Sequence, residues 1–295
     1  MAPQNINLYH EWLGGALFLL SFVVFIDTRS RNVLGSLVLR WIRWGTIGFI
    51  LACLLKIFSV PQAPFALLLS TGLLLWFLAE SAVIWSHVYR CNVAEMPLGA
   101  RYTVAENRTL WPNSHTWRLG QELLQSAGFE MECLASVDVN NAPFLLCPIL
   151  ISKDRRMRLV MRFSLNPSSR ILPSAMLYSI DRSGTVFLTE NSCAVFAGYY
   201  PTTWNVSRRP LVQSLMKLHA LHCRKTKHAS PMELLEPAVD SLNSLQQMLL
   251  EENILKNFLL SVQTNGKKVF YLAEDAGFRI WLEAFLLRYF GRPLS

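Results

Sequence analysis

The densest group of chemically capable side chains is His219, His222, Cys223 and, a little further on, His228. Residues three apart share one helix face, and imidazole and thiolate are ordinary zinc ligands. With a further ligand such as His115 brought near, the group would make a metal-dependent hydrolase. The same residues also suit the end of a helix, where His and the neighbouring Arg224, Lys225 and Lys227 complement the dipole. Ala220 and Leu221 stand between the two histidines, so the HExxH metalloprotease pattern is absent. The expectation is a helix terminus with no bound metal and no cofactor.

A second group is basic. From Arg155 to Leu165, the apolar Met157, Leu159, Met161 and Phe163 alternate with Arg156, Arg158 and Arg162, interrupted by Val160. This period of two predicts a strand with one buried face and one solvated, basic face. Arg155, Arg156, Arg158 and Arg162 are then candidates for contact with anionic head groups or an acidic partner. Third, Arg43 and Glu80 fall in apolar stretches and would meet as an ion pair if those stretches form a hairpin. An ionisable residue in a span is a functional candidate by default, yet the favoured reading is an Arg43–Glu80 pair near the inner leaflet that locks the hairpin. Fourth, Phe196, Tyr199, Tyr200 and Trp204 mark an aromatic connection suited to capping a core. No GxSxG elbow, Walker A loop, dinucleotide fingerprint or kinase motif set occurs.

These residues sit in a chain of 295 residues that is 52% hydrophobic and only 16% charged, with mean hydropathy +0.28. Soluble domains carry about 25% charge, so part of the chain belongs in lipid. Three stretches reach the roughly 20 apolar residues that a span requires: 8–26, 41–60 and 64–86. Together they make residues 1–90 a transmembrane anchor. The first connection carries Arg29, Arg31, Arg40 and Arg43, and Arg90 and Arg101 follow the third span, whereas 61–63 carries no charge. The positive-inside rule then predicts an N-terminus outside, a cytoplasmic domain and a multi-pass protein of the inner (plasma) membrane. Six cysteines without pairing pattern fit a reducing compartment.

Beyond the anchor, 91–112 reads as a linker. Residues 113–206 read as a helix through Ala127, then an antiparallel meander with a turn at Asp181-Arg182-Ser183-Gly184. Residues 207–295 read as helices 208–223 and 230–257, a hairpin at 259–273 turning on Asn265-Gly266, and a last helix over 275–289. The fold class is membrane plus α+β, an antiparallel β-meander packed with helices and a final helix–hairpin–helix. The net charge of +5 after Tyr89–Arg90 is too mild for a nucleic-acid binder, and 240–252 contains no Lys or Arg.

The helix end Leu124-Gln125-Ser126-Ala127-Gly128-Phe129, the turn Asp181-Arg182-Ser183-Gly184-Thr185, Thr189-Glu190-Asn191 and the helix Leu218-His219-Ala220-Leu221-His222 occur in an order that resembles uncharacterised bacterial membrane-anchored α+β proteins of unknown function. That resemblance implies no activity. The expected function is a membrane-tethered, non-catalytic interaction or sensory module, whose partners are the lipid bilayer, its anionic head groups and a membrane protein. The alternatives are the His/Cys metal hydrolase and a small subunit of a larger membrane complex.

Overall fold

The computed structural model describes residues 4–29, 33–59, 63–93, 101–105, 124–125, 127–138, 145–164, 174–264 and 267–294. These form two compact units, one drawn from 1–89 and 284–291, the other from 90–283 and 292–295.

The first unit holds three helices long and apolar enough to cross a membrane. They are α1 (Gln4–Arg29), α2 (Val33–Leu54, continued by a π-helical turn Leu55–Ser59) and α3 (Phe65–Val93). The candidate spans within them are Leu8–Asp27, Val33–Phe58 and Phe65–Arg90. Helix α2 therefore starts well before Trp41, and Arg40 and Arg43 belong to the helix instead of the connection. Helices α2 and α3 approach closely where both carry glycine: a Cβ on Gly72 would run into the Gly48 carbonyl oxygen. Small residues at such a crossing let two backbones pack in lipid, where no hydrophobic force draws helices together. In the π-helical turn, the Lys56 ammonium donates to Ala63 O at 2.7 Å, so its charge is satisfied at the end of the span.

The second unit is built on a seven-stranded sheet with spatial order β1 to β7. Its strands are β1 (Arg101–Val104), β2 (Phe129–Asp138), β3 (Leu145–Ser152), β4 (Arg158–Ser164), β5 (Ser174–Ile180), β6 (Val186–Glu190) and β7 (Trp204–Arg208). The stretch expected as a linker thus supplies β1, which pairs antiparallel with β2. Strands β2 to β6 form the expected meander, β1 extends it on one side, and β7 runs parallel to β6, making the sheet mixed. The connection 191–203 carries the chain back across the sheet end before β7, as a parallel neighbour requires. Asp181 Oδ1 accepts from the backbone of Ser183 and Thr185, both at 2.9 Å, and Gly184 takes φ +80. That closes the turn between β5 and β6.

Helix α4 (Leu215–Thr226) covers one face of the sheet and α5 (Ala238–Leu255) the other. Leu218 of α4 joins Leu159, Met161, Phe163 and Leu177 in one core, while Leu242 and Leu245 of α5 join Ile149, Val160, Tyr178 and Leu188 in the second. Helix α5 begins at Ala238 and not near Ser230, because Pro237 forces Glu236 out of helical geometry and the preceding segment pairs with the sheet, through Met232 N to Ile180 O. Strands β8 (Leu259–Thr264) and β9 (Lys267–Leu272) pair antiparallel. Phe258, Leu259, Leu272 and Ala276 form a third, smaller core. Helix α6 (Glu274–Phe290) closes the chain. Most of the helix expected over 113–127, and the 265–266 turn, lie outside the described residues.

Candidate functional site

With helices on both sheet faces, both faces of β4 are covered. Strand β4 turns Arg158, Val160 and Arg162 toward α5, and Arg158 is 0% exposed. This overturns the expectation of a solvated basic face. Period-two alternation records that two faces differ in polarity; it does not record whether the polar face meets water or a second layer. Only Arg155 and Arg156, in the turn before β4, remain exposed.

Burying a guanidinium requires a charge partner and hydrogen bonds for its donors. Arg158 has both. Its Nε and Nη2 each lie 2.7 Å from a Glu132 carboxylate oxygen, a two-pronged match of planar groups. Nη1 donates to the Tyr178 hydroxyl at 3.3 Å, and Nη2 also reaches the Leu234 and Glu236 carbonyls ahead of α5. Glu132 is delivered by a break in the β2–β3 register between Met131 and Cys133, where an extra residue re-aims a side chain.

A second network lies at the β6–β7 end. Arg208 Nε donates to Glu190 at 2.9 Å, Nη1 to Glu283 of α6, and Nη2 to Ala194 O at 2.6 Å. Arg162 approaches the other Glu190 oxygen at 3.7 Å. Glu283, 0% exposed, also accepts from the Phe196 and Ala197 backbone N–H groups. Ala197 has φ +52, a left-handed conformation costly for a residue with a Cβ. Glu283 holds its N–H, and Arg279 Nε donates to its carbonyl at 2.9 Å. Arg208 was expected to begin a helix; it ends β7 instead, since its charge must face Glu190 on the parallel neighbour.

The His/Cys group does not converge. His222 is 0% exposed and points into the sheet, with Nε2 3.1 Å from Ser179 Oγ and Nδ1 3.0 Å from Thr189 Oγ1. His219 packs edge-on against Phe129, ring centroids 5.5 Å apart, and lies 3.3 Å from Cys223. His228 is exposed beyond the helix, and His115 lies outside the described residues. Among the described residues no group of three His, Cys, Asp or Glu side chains could hold a metal ion. Burial pushes the Cys223 thiol up, the reverse of an activated thiolate. Ser179 and His222 have the contact of a nucleophile and base, but both are buried and the other ring nitrogen meets the Thr189 hydroxyl in place of a carboxylate.

Burial, then the positive charge of Lys225, depresses His222 to about 3 against its usual 6.5. Between these values the unfolded chain binds a proton that the folded chain does not, so stability falls as pH drops below 6.5 by about 1.4 kcal/mol per pH unit. The wild-type domain is expected to lose more stability between pH 7 and pH 5 than a His222→Asn variant. Equal pH slopes in denaturant titrations would show that the ring is not held neutral.

The aromatic connection caps the β7 end. Phe196 and Tyr200 rings lie 4.6 Å apart and Tyr200 and Trp204 6.1 Å, while Arg279 stacks over Tyr199 at 4.2 Å. Beside them a groove of about 630 Å³ runs along β7, lined by Thr185, Tyr200, Pro201, Trp204, Asn205 and Val206. It borders the sheet edge, since among the described residues β7 pairs with β6 alone. In the first unit, Glu80 Oε1 lies 3.7 Å from Arg43 and 3.2 Å from Arg288, and its other oxygen accepts from the Tyr289 hydroxyl. Arg43 also approaches Asp27 at 3.9 Å. The sequence pointed to Arg43; nothing in it pointed to Arg288 and Tyr289.

No protein-family model matches the chain, and no curated protein or solved structure is significantly similar to it, so the resemblance carried by its short motifs assigns it to no family.

Proposed function

We propose that the protein is a membrane-tethered, non-catalytic interaction module that presents its α+β unit at the cytoplasmic face of the plasma membrane. The observation that carries this reading is the groove along β7. It joins the β7 sheet edge, where Asn205 O accepts from Lys225 Nζ and the strand can add one from a partner, to the Tyr and Trp side chains favoured at interfaces. The buried ionisable groups described above are engaged in pairs and hydrogen bonds, which suits a scaffold. Orientation rests on the placement of Arg29, Arg31, Arg40, Arg43, Arg90 and Arg101. A reporter active only in the cytoplasm, fused after Ser295, is expected to be active; activity only of an external reporter would reverse the orientation. A photo-crosslinking residue at Asn205 is expected to give a discrete protein adduct in cells that the same residue at Glu251 on α5 does not. Identical patterns at both positions would remove the groove as the interaction site.

The exposed Arg155 and Arg156 support a further contact with anionic head groups, each basic side chain near such a surface gaining about 1 kcal/mol. Arg155 has φ +55, so the test pairs Arg155→Asn, which tolerates that conformation, with Arg156→Ser. This double variant is expected to keep its stability within about 0.5 kcal/mol and to lose salt-sensitive binding of reconstituted protein to added anionic vesicles. Unchanged vesicle binding would sink the contact.

A second reading, a small subunit of a larger membrane complex, is favoured by α1. Only 6% of its apolar window is buried, and Phe18 is 76% exposed. Gentle solubilisation is expected to retain a stoichiometric membrane protein on this reading, and a lone monodisperse chain would count against it.

A further inference from the structure

Residues Ala284–Gly291 group with the spans of the anchor and not with the α+β unit. Their composition suits that company, since Ala284, Phe285, Leu286, Leu287, Tyr289 and Phe290 surround a single charge, Arg288. We propose that this end of α6 is a fourth membrane element, lying in the acyl-chain region of the leaflet on the Arg40–Arg43 side, with Phe290 and Leu286 against lipid.

Depth follows from helix geometry. A span of about 20 residues covers the roughly 30 Å hydrocarbon core, so α3, counted from Phe65, crosses it by Ile84. At about 1.5 Å per residue, Glu80 lies roughly 6 Å inside that boundary and Phe77 roughly 10 Å. The end of α6 meets both levels. Phe285 packs edge-on to Phe77 with centroids 5.6 Å apart, and Arg288 and Tyr289 engage Glu80. From α2, Trp41 contacts the rings of Tyr289 and Phe290 at 5.3 and 5.6 Å.

The polar groups are arranged as lipid demands. The last carbonyls of a helix have no partner within it, and in hydrocarbon each must find one. Here Arg40 Nη1 donates to Arg288 O at 3.1 Å and Trp41 Nε1 to Tyr289 O at 2.8 Å, while Gly291, at φ +60, turns its N–H back to Leu287 O. The Arg288 charge is met by Glu80. Apolar side chains face outward: Phe290 is 48% exposed and Leu286 partly so, with the Arg288 side chain partly exposed beside its partner Glu80. A soluble helix end would bond its carbonyls to water and would not draw two side chains from a span.

The test uses the full chain in phosphatidylcholine nanodiscs, with a benzophenone amino acid at Phe290, at Leu286 or, as control, at Leu235, which is 75% exposed in the α+β unit. Irradiation followed by mass spectrometry is expected to show lipid adducts at Phe290 and Leu286 at least tenfold above those at Leu235. Each variant is first checked for the elution volume and melting temperature of the parent. Lipid adducts at neither position, or adducts at Leu235 as abundant as theirs, would overturn the proposal. Two independent positions keep the test decisive if one variant misfolds.

Discussion

Replacing Glu283 with alanine is expected to destabilise the α+β unit by about 3–5 kcal/mol. Few single substitutions reach that size, and those that do leave a buried charge or donor uncompensated. Glu283 has three dependants. The Arg208 guanidinium, almost wholly buried, keeps only Glu190 as a counter-charge. The Phe196 and Ala197 N–H groups lose their acceptor, and the left-handed Ala197 loses one of the two bonds that hold it. Denaturant titration of the full chain in micelles measures the loss. Glu283→Gln is expected to cost less, because an amide oxygen still accepts from the backbone. The paired change Arg208→Met with Glu283→Leu is expected to recover only the part of the loss due to the uncompensated Arg208 charge, because leucine leaves the Phe196 and Ala197 N–H groups without an acceptor. A loss below about 1 kcal/mol for Glu283→Ala would mean that water enters and solvates Arg208.

The second large effect is expected at Glu80. Glu80→Leu makes α3 more apolar and should leave insertion intact, yet it strips Arg43 and Arg288 of their shared carboxylate and Tyr289 of its acceptor. Breaking one side of such a buried group costs about 3–5 kcal/mol. The loss is expected at the packing of 284–291 on the spans. It would be read as a lower melting temperature in nanodiscs and as new trypsin cleavage after Arg288. Glu80→Gln keeps an acceptor for Tyr289 and should fall between. An unchanged melting temperature and protease pattern for Glu80→Leu would show that the two arginines find sufficient compensation in Asp27 and lipid phosphate.

Helix and strand boundaries were legible where local chemistry sets them. The turn at Asp181–Gly184 was legible because Asp and Gly satisfy its hydrogen bonds and its positive φ within four residues. Helix α5 was misplaced because Ser230-Pro231 resembles a helix start, while Pro237 is the one that acts. Strand β7 was missed because Trp204–Arg208 is only five residues long, falls between the aromatic connection and the helix expected from Arg208, and pairs in parallel with β6.

The candidate site was less legible. Arg158 and Arg162 were singled out for charge and spacing and assigned to water; both take part in buried pairs. His222 was singled out as a ligand and is instead a neutral ring bonded to two hydroxyls. Residue type and spacing show that a side chain is unusual, but whether it reacts, binds or merely fills depends on what stands opposite. Glu132 could have been suspected only by asking which acid would accompany a buried arginine.

The sequence alone determined that three helices are apolar and long enough to span a bilayer and that the rest is α+β. Both follow from sums over neighbouring residues, transfer free energy in one case and backbone periodicity in the other. Tertiary structure decided the rest: a sheet covered on both faces, a carboxylate re-aimed by a strand irregularity, and the end of α6 joined to the anchor. The reason is the distance along the chain over which charges find partners. Glu132 and Arg158 are 26 residues apart, Arg208 and Glu283 are 75, and Glu80 and Tyr289 are 209. No local pattern encodes a pairing over such a separation, because its free energy appears only when folding brings both groups out of water together.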